Sequence, residues 1–246
     1  MDLFNSFLNH SNPDSFVNSL RKKRFKRIKE VLEGLIAERG SVKVLDIGGE
    51  IVYWKNMGWQ NSAATIYVLN LDPVFDKEQH EGYIQVQGNA LKLPYEMGEF
   101  DLVFSNSVIE HVGSKNNQKI FADEVRRVCN NYIIQTPSFW FPLEPHSMIP
   151  FFQFIPHTIR ALLIMVFNIN YFPKTKSYQE AIKVSKTTIM LTRRGFQKLF
   201  PEAAIEVEYL YGISKSYSVY RINEIKLNLE DTFESKYGSF ENSSQF

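Results

Sequence analysis

Apolar positions recur at three- and four-residue spacing from Ser15 to Glu38, with Phe25, Ile28, Val31, Leu32, Leu35 and Ile36 on one face and Gly40 as a stop. The pattern predicts a long amphipathic helix. Beyond it the period changes. "SVKVLDIGG" (41–49) is a short apolar run ending in an acid and glycines, which reads as a buried strand entering a tight turn. "EIVYWKNMGW" (50–59) returns to helical spacing, and "TIYVLNLD" (65–72) is a second strand closed by Pro73. Strand, helix, strand implies parallel strands and a right-handed crossover. "YIQVQGNA", "FDLVFSNS" and "NYIIQTP" continue as three more strands. The helix "NQKIFADEVRRV" between the last two turns Ile120, Phe121, Val125 and Val128 to one side. Five strands with intervening helices predict an α/β, Rossmann-like, doubly wound sheet with helices on both faces. Its ligand site lies beyond the carboxyl ends of the strands.

After Pro137 the alternation breaks. "SFWFPLEPHSMIPFFQFIPH" and "IRALLIMVF" read as an aromatic-rich insertion covering the strand ends, a lid. A helix at "LTRRGFQKLF" and two alternating segments, "AIEVEYLYG" and "KSYSVYRI", then supply an antiparallel pair at the sheet edge. One domain is expected over 1–246: an N-terminal helical extension (1–40), a cofactor-binding core (41–137), the lid insertion (138–183), a C-terminal helix and strands (184–229) and a loose tail (230–246).

Composition narrows the possibilities only a little. With 246 residues, 44% of them hydrophobic, the chain can bury one sizeable core. A net charge of +1 gives no reason to expect nucleic acid, and a single cysteine, Cys129, excludes an internal disulfide and any cysteine-based zinc site. No export signal is visible at the start, so a cytoplasmic location is expected. The most apolar stretch, 149–169, is interrupted by Pro156, His157 and Arg160 and does not read as a membrane span. The run "RKKRFKR" (Arg21 to Arg27) reads as a solvated helix face. Together with Trp140, Phe141, Phe151, Phe152 and Phe154 it also suggests peripheral contact with an anionic membrane surface.

The turn "LDIGGE" carries the chemistry. A dinucleotide site needs G-x-G-x-x-G so that the backbone approaches a pyrophosphate and the next helix N-terminus is free to bind it. Here the second and third motif glycines are absent, and Glu50 stands where the phosphate would sit. The loop is poor for a phosphate and suited to a ligand bearing cations. S-adenosylmethionine, with its sulfonium and ammonium, is such a ligand. Asp72, at the end of the second strand, is placed to hold a ribose diol.

"VLDIGG", "LNLDP", "GNALKLP" and "FDLVFSNSVIEHV", in that order over residues 43 to 137, resemble the successive motifs of class I S-adenosylmethionine-dependent methyltransferases, in particular the type 11 group. The resemblance implies that Asp46 and Gly48, with Gly49 and Glu50 beside them, receive the methionine part of S-adenosylmethionine. It implies that Asp72 binds the ribose between Leu71 and Pro73, and that Asn89 and Ala90 sit by the adenine. Ser105 and Asn106 are expected to face the methyl group.

Glu110 and His111 in "SVIEHV", with Glu144 and His146 in "PLEPH", are candidates for drawing a proton from the acceptor; the catalytic residues expected are His111, Glu110 and His146. Their spacings match no zinc signature, and no metal is expected. The expected activity is methyl transfer to an O or N atom of a small-molecule, glycan or lipid-linked acceptor. A non-catalytic S-adenosylmethionine-binding protein is the alternative, and an NAD-dependent oxidoreductase, disfavoured by the glycine count and Glu50, is a weaker one.

Overall fold

The computed structural model describes residues 16–72 and 80–223. Ser15, Pro73 and the tail from 230 lie outside the described residues.

The first helix, α1 (Phe16–Arg39), precedes a seven-stranded sheet. The strands are β1 (Val42–Ile47), β2 (Ala64–Asn70), β3 (Tyr83–Gln87), β4 (Leu102–Asn106), β5 (Tyr132–Pro137), β6 (Ala204–Leu210) and β7 (Ile213–Arg221). Their order across the sheet is β3-β2-β1-β4-β5-β7-β6, with β1 to β5 parallel and β7 antiparallel to both β5 and β6. The doubly wound reading therefore holds, with the antiparallel pair at one edge of the sheet. β7 inserts beside β5, and only β6 lies at the rim. The two-residue turn between them, Tyr211–Gly212, takes positive φ at both positions (51° and 78°), the geometry that matches the twist of a hairpin.

Two cores flank the sheet. On one face Phe25, Ile28, Val31, Leu32 and Leu35 of α1 pack with Trp54 and Trp59 against Val44, Ile66, Leu102 and Phe104. The buried Trp54 belongs to α2 (Ile51–Asn56) and meets Phe25 and Phe104 edge-on. On the other face Phe121, Val125 and Val128 of α3 (Lys115–Val128) and Phe196 of α6 (Arg193–Leu199) cover Leu45, Val103 and Ile134. The Ser114 hydroxyl caps α3 by accepting from Asn117 N at 3.0 Å, and Thr192 caps α6 through Gly195 N at 3.1 Å. Each cap contributes about 1 kcal/mol.

The basic run on α1 divides by face. Lys22, Lys23 and Lys26 are exposed, as a solvated face requires. Arg21, Arg24 and Arg27, three residues apart, turn inward: Arg24 pairs with Glu208 at 3.8 Å and Arg27 lies over the Tyr220 ring.

One connection departs from the expected alternation. Between β3 and β4, residues 88–101 cross the sheet without a helix. α3 holds this loop in place: the Arg127 guanidinium donates to the carbonyls of Tyr95 (2.6 Å) and Leu93 (3.0 Å), and Glu124 accepts from Leu93 N (2.6 Å). Those bonds satisfy backbone groups that a crossover helix would have satisfied itself.

The segment after β5 leaves the sheet at Ser138 and returns at Leu191, where the two residues form a parallel bridge, so the excursion extends past residue 183. It contains α4 (His157–Val166) and α5 (Tyr178–Ser185) around a small core of its own, Phe152, Ala161, Ile164, Ile169, Phe172 and Ala181. No helix among the described residues is long and apolar enough to cross a membrane.

Candidate functional site

The carboxyl ends of β1, β2 and β4 form one half of the site. Gly48 follows β1 with φ +72°, and a side chain there would strike Val108, so this turn tolerates only glycine. Gly49 lies directly over Asp46: a Cβ added to it would fall 1.7 Å from Asp46 Oδ2. The Asp46 carboxyl is itself buried. Its Oδ2 accepts from the Trp54 indole at 2.7 Å, its Oδ1 has no partner, and burial pushes its pKa up to about 7 against the bond from Trp54. The carboxylate thus lies underneath the loop, against the backbone of Gly49.

Glu50 is exposed at the start of α2 and makes no side-chain cap there. Asn70, the last residue of β2, donates to Gly49 O at 2.9 Å and ties the two strand ends together. Leu71 and Asp72 beyond it are exposed, and Asp72 makes no hydrogen bond or ion pair among the described residues. Gln87 donates to Leu71 O at 3.1 Å. Asn89 is exposed, with its Oδ1 accepting from Leu91 N at 2.9 Å, and Ala90 packs half-buried against the core. Ser105 does not face the strand-end crevice as expected. It is fully buried, and its hydroxyl donates to Ile47 O at 3.0 Å, linking β4 to β1. Asn106 is half-buried at the end of β4.

The other half is built from the turn after β4 and the insertion after β5. Ser107 takes φ +59°, which costs of order 1–3 kcal/mol for a non-glycine residue, and it is held there by bonds to Gln135 from both its amide and its hydroxyl (3.0 Å each). The 3-10 turn Ile109–His111 that follows is pinned by Gln118, whose amide donates to Ile109 O, and by Ile189 N, which donates to Glu110 O. Glu110 is fully buried. Thr136 of β5 donates to its Oε2 at 3.1 Å, its Oε1 has no partner, and burial pushes its pKa up to about 7.

Across from this turn the insertion places His146. Its Nδ1 and Glu144 Oε1 are 2.5 Å apart, and the same carboxylate accepts from the backbone amides of His146 (3.1 Å) and Ser147 (2.5 Å). Burial opposes ionisation of Glu144, but the bonds from His146 and Ser147 hold its pKa below the ordinary range. The His111 and His146 rings meet edge to face with centroids 4.5 Å apart. His111 is exposed as a residue, yet the burial of its ring, and the neighbouring His146, hold its pKa down to about 4.

Two Glu-His pairs that are separate in the sequence thus become one group, and the donor atoms of Glu110, His111 and His146 all lie within 4.8 Å of one another. Spacing along the chain gave no hint of a metal-ligand set. The fold nevertheless brings these three potential ligand atoms together by laying the segment after β5 over the turn after β4. Thr136 and Trp54, the partners of the two buried carboxyls, carried no signal in the sequence beyond their place in a strand and a helix.

The turn after β1 suits S-adenosylmethionine better than a dinucleotide, because an acid, Glu50, stands at the start of the next helix where a phosphate would bind. The family model described as "Methyltransferase domain" matches residues 45–131, the stretch from β1 almost to β5. No curated protein matches the chain. Among solved structures, one from Pyrococcus horikoshii OT3 shares 18% identity over 91% of this chain and 99% of its own, with a TM-score of 0.47. A SAM-dependent methyltransferase from Methanosarcina mazei shares 14% over 75% and 94%, with a TM-score of 0.44. The magnesium protoporphyrin IX methyltransferase of Synechocystis, with bound S-adenosylhomocysteine, shares 12% over 85% and 88%, also at 0.44. The match to a methyltransferase domain thus lies on the strands that form the crevice.

Proposed function

We propose that this enzyme methylates an oxygen or nitrogen of a small-molecule acceptor that enters beside the insertion. The observation that carries the reading is the convergence of Glu110, His111, Glu144 and His146 at the strand ends. S-adenosylmethionine, once bound, supplies a methyl group on a sulfonium, so the acceptor needs a lone pair held in line with it. On this reading Gly48, Gly49 and Glu50 hold the methionine end with Asp46 beneath them, and Asp72 takes the ribose hydroxyls between Leu71 and Pro73. Asn89 and Ala90 border the adenine, and Asn106 stands towards the reacting end.

His146 takes the acceptor's proton. Its Nδ1–H is given to Glu144, which fixes the tautomer, leaves Nε2 as the acceptor and stabilises the ring when it becomes charged. His111, held neutral, orients the acceptor by accepting a hydrogen bond. Glu110 supports both from behind. Radiolabelled methyl transfer over a panel of hydroxyl- and amine-bearing compounds tests the reading. Incorporation that needs His146 supports it, and incorporation indifferent to His146→Gln refutes the assigned base.

The insertion covers the acceptor. Its outer side exposes Trp140 and Phe154, whose rings pack with Phe139. It also exposes Phe151 beside Phe154, and Ile159, Leu162 and Val166 on one side of α4. A glycan-bearing or lipid-linked acceptor would meet this surface. On this reading the exposed Lys22, Lys23 and Lys26 of α1, with the exposed rings of Trp140, Phe151 and Phe154, would meet an anionic membrane surface in a peripheral attachment. Flotation with anionic vesicles tests that attachment; protein left at the bottom of the gradient rules it out.

A further inference from the structure

We propose that Glu110, His111 and His146 form a binding site for one divalent transition-metal ion, with Glu144 as the carboxylate that orients His146. The inference rests on reading this cluster as the acceptor end of the site. Two imidazoles and a carboxylate are a donor set suited to zinc and its neighbours, which take three protein ligands and leave positions open. The three donor atoms lie within 4.8 Å of one another, so some point is no more than about 2.8 Å from each; zinc needs roughly 2.0–2.2 Å. Small rotations of the His111 and His146 rings close that gap.

Two independent features point to a ligand here. The first is the Glu110 carboxyl, 0% exposed, whose Oε1 has no hydrogen-bond partner although Oε2 is bonded to Thr136. A buried oxygen left unpaired is costly, and a cation among these three donors removes the cost. The second is the bond from His146 Nδ1 to Glu144, which leaves Nε2 as the ligating atom. This carboxylate–imidazole pair is the arrangement that steadies a metal-bound histidine, and Glu144 is itself held by the amides of His146 and Ser147.

Both metal-facing elements are rigid. The turn carrying Glu110 and His111 is fixed by Gln118 and Ile189, and the backbone carbonyl of His146 accepts from Tyr171 N at 3.1 Å. An ion held there stands where the acceptor arrives, and a hydroxyl coordinated to it becomes more acidic. With the ion in place the imidazole lone pairs belong to the metal. Coordination would then activate the acceptor hydroxyl in place of His146, which is the base only when the ion is absent. The hydroxyl oxygen takes the methyl group as the sulfonium C–S bond breaks, S-adenosylhomocysteine leaves, and the hydroxyl's proton goes to solvent.

Calorimetric titration of the chelator-treated, full-length chain with Zn²⁺ alone, alongside a titration with S-adenosylhomocysteine, tests the proposal. One Zn²⁺ per chain is expected, weakened at least about 100-fold in His111→Ala and in His146→Ala, and about 10- to 100-fold in Glu144→Gln. Unchanged S-adenosylhomocysteine binding certifies that each variant is folded; His146→Gln replaces His146→Ala if that variant fails this control. Cofactor binding without Zn²⁺ binding overturns the metal site and leaves the methyltransferase reading standing. Zn²⁺ binding that persists in the double histidine variant also overturns it, because the ion then sits elsewhere. If neither ligand binds, the functional reading falls and takes the metal site with it.

Discussion

Asp46 and Glu110 are two buried carboxyls at the two halves of one crevice, each with one orphaned oxygen and a pKa raised to about 7 by burial. What surrounds them differs. Asp46 is closed in by the Trp54 indole and the backbone of Gly49, groups that cannot take up a proton or a ligand. Glu110 has Thr136 on one side and the donor atoms of two histidines within 4.8 Å on the other. Equal burial and an equal shift thus accompany different surroundings, and the proposed function makes Asp46 a structural prop and Glu110 part of the chemical site. A perturbed pKa becomes informative about function only together with the groups it faces.

Substitutions can break this contrast. The largest expected effect is on the Glu110 side: His146→Ala should lower the rate of methyl transfer by roughly 10²- to 10⁴-fold, measured as label incorporation into the acceptor, while S-adenosylhomocysteine affinity stays within about twofold. On the Asp46 side the damage should instead be to the fold. Gly49→Ala forces a methyl group onto a packed carboxylate, and the urea midpoint should fall by an amount equivalent to about 2–3 kcal/mol. Next in size, Asp72→Ala should weaken S-adenosylhomocysteine about tenfold or more without changing stability, because an exposed carboxylate lost from the surface removes only ligand bonds.

A further effect is a pH trend. In the folded state Asp46 keeps its proton up to about pH 7, whereas in the unfolded chain it loses it near the ordinary carboxyl value of 3.8. Between those values the native state binds more protons than the unfolded state, so stability falls as pH rises. Measured by urea denaturation, wild type should lose stability relative to Asp46→Asn from about pH 4 to pH 7, with no further difference outside that window. A difference that does not vary with pH would show that Asp46 is ionised in the folded state.

The sheet was legible because its signal is local. Buried parallel strands are short apolar runs, and "VKVLDI", "LVFSN" and "YIIQTP" appear where the runs predict them. The course of the loop from 88 to 101 was not legible, because its order comes from Glu124 and Arg127, 31 to 34 residues further along. The same limit applies to the site. "LDIGG" and "LNLD" announce themselves as turn motifs, but the direction in which Asp46 and Ser105 point depends on Trp54 and on the Ile47 carbonyl in the adjacent strand. His111 and His146 were both singled out, and no spacing rule could show that their rings touch. That contact depends on where an irregular, aromatic-rich insertion folds back, which long-range packing decides.

Calorimetry with S-adenosylhomocysteine on three proteins separates the two halves most directly: wild type, Asp72→Ala and the His111→Ala/His146→Ala double variant. One ligand per chain should bind wild type, binding should weaken about tenfold or more in Asp72→Ala, and it should be retained in the double histidine variant. Unchanged affinity in Asp72→Ala, or lost affinity in a folded double variant, would contradict the division of the crevice into a cofactor half and an acceptor half.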